Sequence, residues 1–183
     1  DATFQAALAR HEYPPIVANV LGQSMAATVL LGATVKFEGS LILQLQGKGP
    51  MTLLVVQLFS NGSLRGLANW KGEVLPDTDQ LSALFGEGRL VITIEASIKA
   101  NDQKQHKKSE RYQGIVELGE GNIAQALEGY FQHSEQLNTR LWLSVNNQHA
   151  AGLLIQAMPS NEPQKLGDDQ ESWNRISILS NTT

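Results

Sequence analysis

The chain has 183 residues, a net charge of −4 and no cysteine. That length buries one large core without disulfide or metal staples, and the missing thiols exclude disulfides, cysteine nucleophiles and thiolate zinc sites within these residues. The acidic balance argues against nucleic acid as a partner, which would need clustered Lys and Arg.

No window has the roughly 18 or more uninterrupted apolar residues of a membrane span, and the first residues lack the basic-then-apolar layout of a signal peptide. The expectation is a cytoplasmic protein with no membrane partner. Asn61-Gly62-Ser63 and Asn181-Thr182-Thr183 match the glycosylation acceptor pattern, but without a secretory signal they read as chance matches.

From Pro14 to about Thr34, Val17, Leu21, Met25 and Thr28 to Leu31 recur at helical spacing with Ala18, Ala26, Ala27 and Ala33 between them, which predicts a long buried helix. Pro14-Pro15 suits its first turn, where a missing N–H costs nothing. Residues 35 to 70 read as a meander of strands at Val35 to Phe37, Leu41 to Gln46, Met51 to Leu58 and Leu64 to Trp70. The turns at Glu38-Gly39, Gly47 to Pro50 and Ser60-Asn61-Gly62 are short, so neighbours are antiparallel. Consecutive apolar residues from Leu53 to Val56 predict a strand lying between two layers.

Leu75 to Phe85, opened by Pro76-Asp77, reads as a short helix, and Arg89 to Ala96 and Arg111 to Leu118 as strands around a polar hairpin tip, Asn101 to Ser109. Asn122 with Gln125 three residues on predicts an N-cap and a second helix through about Ser134. Leu137 to Val145 and Gly152 to Ala157 form a last antiparallel pair around Asn146-Asn147-Gln148. The fold class is thus α+β: mostly antiparallel sheets packed with a long buried helix and a second, shorter one. After Pro159 the composition turns to polar residues, marking a boundary between a core at 1–159 and a trailing segment at 160–183. There Trp173, Ile176, Leu179 and Ser180 follow Asp168-Asp169 at helical spacing.

No catalytic constellation emerges, so the chain reads as a binding protein rather than an enzyme. His11, His106, His133 and His149 are scattered over separate elements without metal-site spacing. Gly22-Gln23-Ser24-Met25-Ala26 is the nearest approach to a nucleophile elbow, but its serine falls inside the predicted helix and reads as a core serine. The turns Gly47 to Gly49, Gly86 to Gly88 and Gly119 to Gly121 read as turn geometry, because no phosphate-binding fingerprint is completed and Glu120 would repel an anion. Lys104, Lys107 and Lys108 read as a solvated loop, and Arg65 and Arg111, inside strands, as members of structural ion pairs. Trp70 and Trp142 belong to sheet packing. Trp173 lies beyond the core, on a helix that must dock on its own chain, a partner or a client.

Five segments fix a resemblance. The run Phe37-Glu38-Gly39-Ser40-Leu41-Ile42-Leu43-Gln44-Leu45-Gln46-Gly47-Lys48-Gly49-Pro50-Met51 is joined, in order, by Glu12-Tyr13-Pro14, Glu110 to Val116, Tyr130 to Leu141 and Ala150 to Pro159. Together they resemble the core domain of the 33 kDa chaperonin, the redox-regulated bacterial heat-shock holdase. The resemblance implies an ATP-independent, homodimeric chaperone that binds unfolding or oxidatively damaged proteins under heat and oxidative stress. In the family, zinc is held by four cysteines of a C-terminal redox-switch domain; that pattern is missing from these residues, so no cofactor is expected in this chain. The resemblance also implies that residues 160–183 begin the linker toward that domain, and that further chain precedes residue 1. Trp173, Ile176 and Leu179 are the candidate linker, client or dimer contacts, within a best region from Pro159 through Leu179. Other readings are a dimerisation scaffold without client binding and, from a different class, a small hydrolase or transferase.

Overall fold

Small residues let the longest helix sink into the protein. In the computed structural model, which describes residues 2–97, 109–158 and 166–180, a short helix α1 (Ala2–Leu8) leads into α2 (Pro15–Thr34). Val17, Val20, Leu21, Met25, Ala27 and Leu31 of α2 are buried. At Gly32 an added Cβ would lie 2.3 Å from Leu58 Cδ2, and at Gly22 it would lie 2.9 Å from both Phe4 and Val145. Glycine is what permits that approach. The polar residues in the helix bond within it: Ser24 Oγ donates to the Val20 carbonyl at 2.8 Å and Thr28 Oγ1 to the Ser24 carbonyl at 2.7 Å. By length and hydropathy α2 could cross a membrane, contrary to the sequence expectation, but 56% of that stretch is buried within the protein, as expected of a core helix apolar on every side.

The helix lies with an antiparallel five-stranded sheet of β1 (Gly39–Gly47), β2 (Met51–Phe59), β3 (Leu64–Trp70), β4 (Gly88–Ser97) and β5 (Ser109–Glu117), in the order β3-β2-β1-β4-β5. Helix α3 (Leu81–Phe85) separates β3 from β4. After β5 come α4 (Ile123–Tyr130), a π-helical turn at Phe131–Glu135, a two-stranded antiparallel sheet of β6 (Thr139–Val145) and β7 (Ala150–Gln156), and α5 (Leu166–Ser180). The fold is α+β, with most of the predicted elements in place. Asn122 caps α4 as expected: its Oδ1 accepts from the Gln125 N–H at 3.1 Å, while Gln125 Oε1 accepts from the Asn122 N–H at 3.0 Å.

Four expectations change. Helix α1 had no periodic signal in so short a segment; Phe4 and Ala7 anchor it in the core. Residues 35–38 are not a strand, because pairing begins at Gly39, whose φ of 142° few other residues tolerate, and Phe37 packs against the core instead. Only Leu81–Phe85 of the expected helix from Leu75 forms, after a turn in which Thr78 Oγ1 accepts from the Gln80 N–H. Finally, β2 does not lie between two layers: Leu54, Val56 and Leu58 are buried while Leu53, Val55 and Gln57 are only partly covered. The hairpin tip with Lys104, His106, Lys107 and Lys108 lies outside the described residues, as does the boundary following Pro159.

The three Gly-X-Gly turns meet at one end of the molecule, around α3. The Gly49 N–H donates to the Phe85 carbonyl at 2.7 Å, and the Leu81 and Ser82 N–H groups donate to the Gly121 and Gly119 carbonyls. A Cβ at Gly47 would come within 2.1 Å of the Phe85 oxygen. Here glycine allows backbone to lie directly on backbone.

Candidate functional site

The alternation of the strands gives the large sheet two unlike faces. Leu41, Leu43 and Leu45 of β1, Leu54 and Val56 of β2 and Leu90 and Ile92 of β4 belong to the core cluster. Their outward neighbours do not. Across the strands, register places Leu67, Val55, Gln44, Val91 and Ile115 in one outward row. Leu67 is 44% exposed and Ile115 57%, at the two edges of the sheet. The row on one side holds Arg65, Gln57, Ile42, Thr93 and Gln113, and the row on the other holds Asn69, Leu53, Gln46, Arg89 and Glu117.

The interior of this face is apolar or neutral, and its polar groups are amides and hydroxyls. The Gln44 and Gln46 amides touch at 2.9 Å, and Gln113 Nε2 donates to Thr93 Oγ1 at 3.1 Å. Charges stay at the margins. Among the described residues Arg65 has no carboxylate partner: its Nε and Nη2 donate to Gln57 Oε1 at 3.0 and 2.6 Å, and its guanidinium stands 5.1 Å over the Phe59 ring. The expected ion pair is replaced there by an amide and an aromatic face. Arg111 stands opposite Glu95 in the ladder. At the far end a groove of about 840 Å³ runs between Gln46, Arg89, Ile115 and Glu117.

Beside the β5 edge, the Tyr130 ring fills the space over Gly114, where a Cβ would lie 2.6 Å from it. The Tyr130 hydroxyl donates to Glu135 Oε1 at 2.7 Å and lies 2.9 Å from the Tyr112 hydroxyl. Burial, then the bonds to Tyr112 and Glu135, push the Tyr130 hydroxyl well above the usual tyrosine range, so it remains a protonated donor. Two of the segments that carry the family resemblance thus pack against each other and hold the end of the exposed sheet.

The predicted contact residues share α5. Trp173 is half-buried, Ile176 is 43% exposed and Leu179 65%, and no α5 residue joins the described core cluster. They are not brought together with Leu67 and Ile115 by any described contact. Trp70 packs against the core and against Tyr13, while Trp142 faces Leu153 across the β6–β7 ladder. Ser24, the elbow candidate, is fully buried in α2. His133 Nδ1 lies 2.7 Å from the Gly129 carbonyl, and no group of three metal-ligating side chains occurs among the described residues.

The family model for the Hsp33 protein matches residues 1–183. This chain belongs to the Hsp33 family. It is 46% identical to the 33 kDa chaperonin of Nitrosococcus oceani over 182 residues, covering 100% of this chain and 57% of that protein. It is 42% identical to the 33 kDa chaperonin of Vibrio cholerae, covering 100% of this chain and 58% of the other. The chain therefore spans less than three-fifths of the length of these relatives. Its fold is similar to the crystal structure of the Thermotoga maritima 33 kDa chaperonin, with a TM-score of 0.65 at 22% identity, covering 91% of this chain and 57% of that one. Hsp33 relatives carry the name of chaperonins, and no catalytic activity is indicated for them.

Proposed function

We propose that this chain is the client-binding core of an ATP-independent holdase and that the outward face of the five-stranded sheet receives the client. One observation supports this reading: the central outward row of the sheet, Leu67, Val55, Gln44, Val91 and Ile115, carries no charge and has Leu67 and Ile115 exposed at its two ends, on a chain of the Hsp33 family. Unfolding proteins expose apolar side chains together with unpaired backbone groups. Val55, Leu67 and Ile115 offer apolar contact to the former, and the amides of Gln44, Gln46 and Gln113 can donate to or accept from the latter. Few fixed charges restrict which sequence may bind.

Residues 1–159 act as the core and 160–183 as the start of a linker, with Trp173, Ile176 and Leu179 contacting a client or a second copy in a cytoplasmic homodimer. Redox control of the kind the family resemblance implies would need thiols or zinc ligands from outside these residues, since the chain has no cysteine. The test is light scattering of a heat-unfolded enzyme mixed with wild type or with the double variant Leu67→Glu and Ile115→Glu. Wild type suppresses aggregation and the double variant loses most of that effect while keeping its melting transition. Equal suppression by both would overturn the placement, and none by wild type would favour a dimerisation scaffold.

A further inference from the structure

The geometry points to Tyr112 as a one-electron oxidation site, with Glu135 as the base that takes its proton and Tyr130 as the hydrogen-bond donor to the phenoxyl oxygen that results. The reagent class is a small radical oxidant, such as the carbonate radical anion followed by nitrogen dioxide. This goes beyond the client face above, because Tyr112 stands on the opposite face of the sheet, in the row of Leu58, Leu41 and Ile94.

Three oxygens form a triangle. The Tyr112 and Tyr130 hydroxyls both donate to Glu135 Oε1, at 2.9 and 2.7 Å, and stand 2.9 Å from each other. Local backbone makes this arrangement. Tyr130 and Glu135 are five residues apart, a spacing that an α-helix does not bring together, since its side-chain neighbours are three or four apart. The π-helical turn at Phe131–Glu135, in which the Gln136 N–H donates to the Phe131 carbonyl, closes from i to i+5 and carries Glu135 back to Tyr130. Gly114, whose missing side chain leaves room for the Tyr130 ring, lies two residues beyond Tyr112, so both rings occupy one face of β5.

Removing an electron from a phenol makes its proton strongly acidic, so oxidation is easiest where a base stands within hydrogen-bond reach, about 2.6–3.2 Å. Of the three tyrosines, Tyr112 alone joins such a base to open access: it is 50% exposed, against 5% for Tyr130. The Tyr13 hydroxyl accepts from the Ala68 N–H at 3.4 Å, and no described carboxylate accepts from it. Tyr130, held protonated by its burial, keeps a hydrogen to turn toward the Tyr112 oxygen once that oxygen has lost its own.

The step balances on these groups. Tyr112 gives one electron to the oxidant, which is reduced, while its O–H bond breaks and the proton forms an O–H bond on Glu135. Glu135 is exposed, so it passes that proton to water. The neutral phenoxyl radical then couples with nitrogen dioxide at the ring carbon beside the oxygen. A C–N bond forms, and the hydrogen of that carbon moves to the oxygen, which leaves 3-nitrotyrosine.

The test is peroxynitrite added to the folded chain in bicarbonate buffer, which generates both radicals, with nitration at each tyrosine measured by mass spectrometry of its peptides. Tyr112 should be nitrated about tenfold or more above Tyr13 and Tyr130, and the urea-unfolded chain should lose that preference. Glu135→Gln keeps a hydrogen-bond acceptor but not a base, so nitration of Tyr112 should fall to the level of Tyr13 while the melting temperature holds. Tyr130→Phe leaves the base in place and should leave Tyr112 the preferred site. Equal nitration of Tyr112 and Tyr13 in the folded wild type overturns the assignment, whether or not the variants fold. Undiminished nitration of Tyr112 in Glu135→Gln also overturns it, because exposure alone would then account for the preference.

Discussion

The two faces of the large sheet are made from alternate residues of the same strands, yet they differ in burial and polarity. On β1, Leu41, Leu43 and Leu45 are at most 1% exposed, whereas Ile42, Gln44 and Gln46 lie outside the core cluster. Leucine packed on one side holds the sheet to α2; on the other, Gln44 and Gln46 are partly exposed and Leu67 and Ile115 exposed, while Val91 and Thr93 of β4 are buried. Stability and the binding proposed for the outward face should therefore be alterable separately, one residue apart.

The largest effect should come from the covered face. Leu43 is fully buried, so Leu43→Ala removes packing and leaves a cavity, at a cost of about 2–5 kcal/mol. Urea unfolding followed by tryptophan fluorescence should give a lower midpoint at an unchanged slope. A loss below about 0.5 kcal/mol would mean that this face is not the packed one.

A smaller effect is expected where an edge, rather than a face, is covered. Glu128→Ala strands the N–H of Leu141, a residue only 4% exposed, and an unsatisfied buried donor costs about 1–3 kcal/mol. Calorimetric melting measures the loss, and faster amide exchange along Thr139–Val145 would locate it. Unchanged exchange at Leu141 would show that the carboxylate does not close that edge. Below it ranks Asn122→Ala, which removes the cap of α4 at about 1 kcal/mol, read by the same melt.

Much of this architecture can be read from the residues. The capping pair Asn122 and Gln125 is a local signal, and it forms as read because it depends on neighbours three residues apart. The long helix and most strand cores are legible for the same reason. The fate of each face is not. Leu53 and Leu54 are the same residue type, and only the assembled sheet decides that Leu54 is fully buried while Leu53 is not. Helix α1 is too short to show a period, and the backbone contacts of Gly47 and Gly49 with Phe85 join segments distant in sequence. One signal for the exposed apolar positions is present: Leu67 sits between Arg65 and Asn69, and Ile115 between Gln113 and Glu117, at two-residue spacing. An aliphatic residue flanked by polar ones on the same face marks an exposed apolar position.

The smallest change in stability should accompany a clear change in binding. Leu67→Gln alters a side chain that is 44% exposed and outside the core cluster, with no cavity to create and no buried polar group to strand. Surface changes of this kind stay within about 0.5 kcal/mol, so the urea midpoint should barely move. On the face proposed to receive the client, however, Leu67 ends the outward row that continues through Val55 and Gln44, and glutamine adds hydrogen-bonding capacity while removing an apolar contact. If aliphatic contact drives binding, more of the chain will be needed for half-maximal suppression of client aggregation. If hydrogen bonding from the amides dominates, the same variant will match or exceed wild type. A large loss of stability would contradict the division between the faces, because it would mean that Leu67 supports the fold from the side assigned to binding.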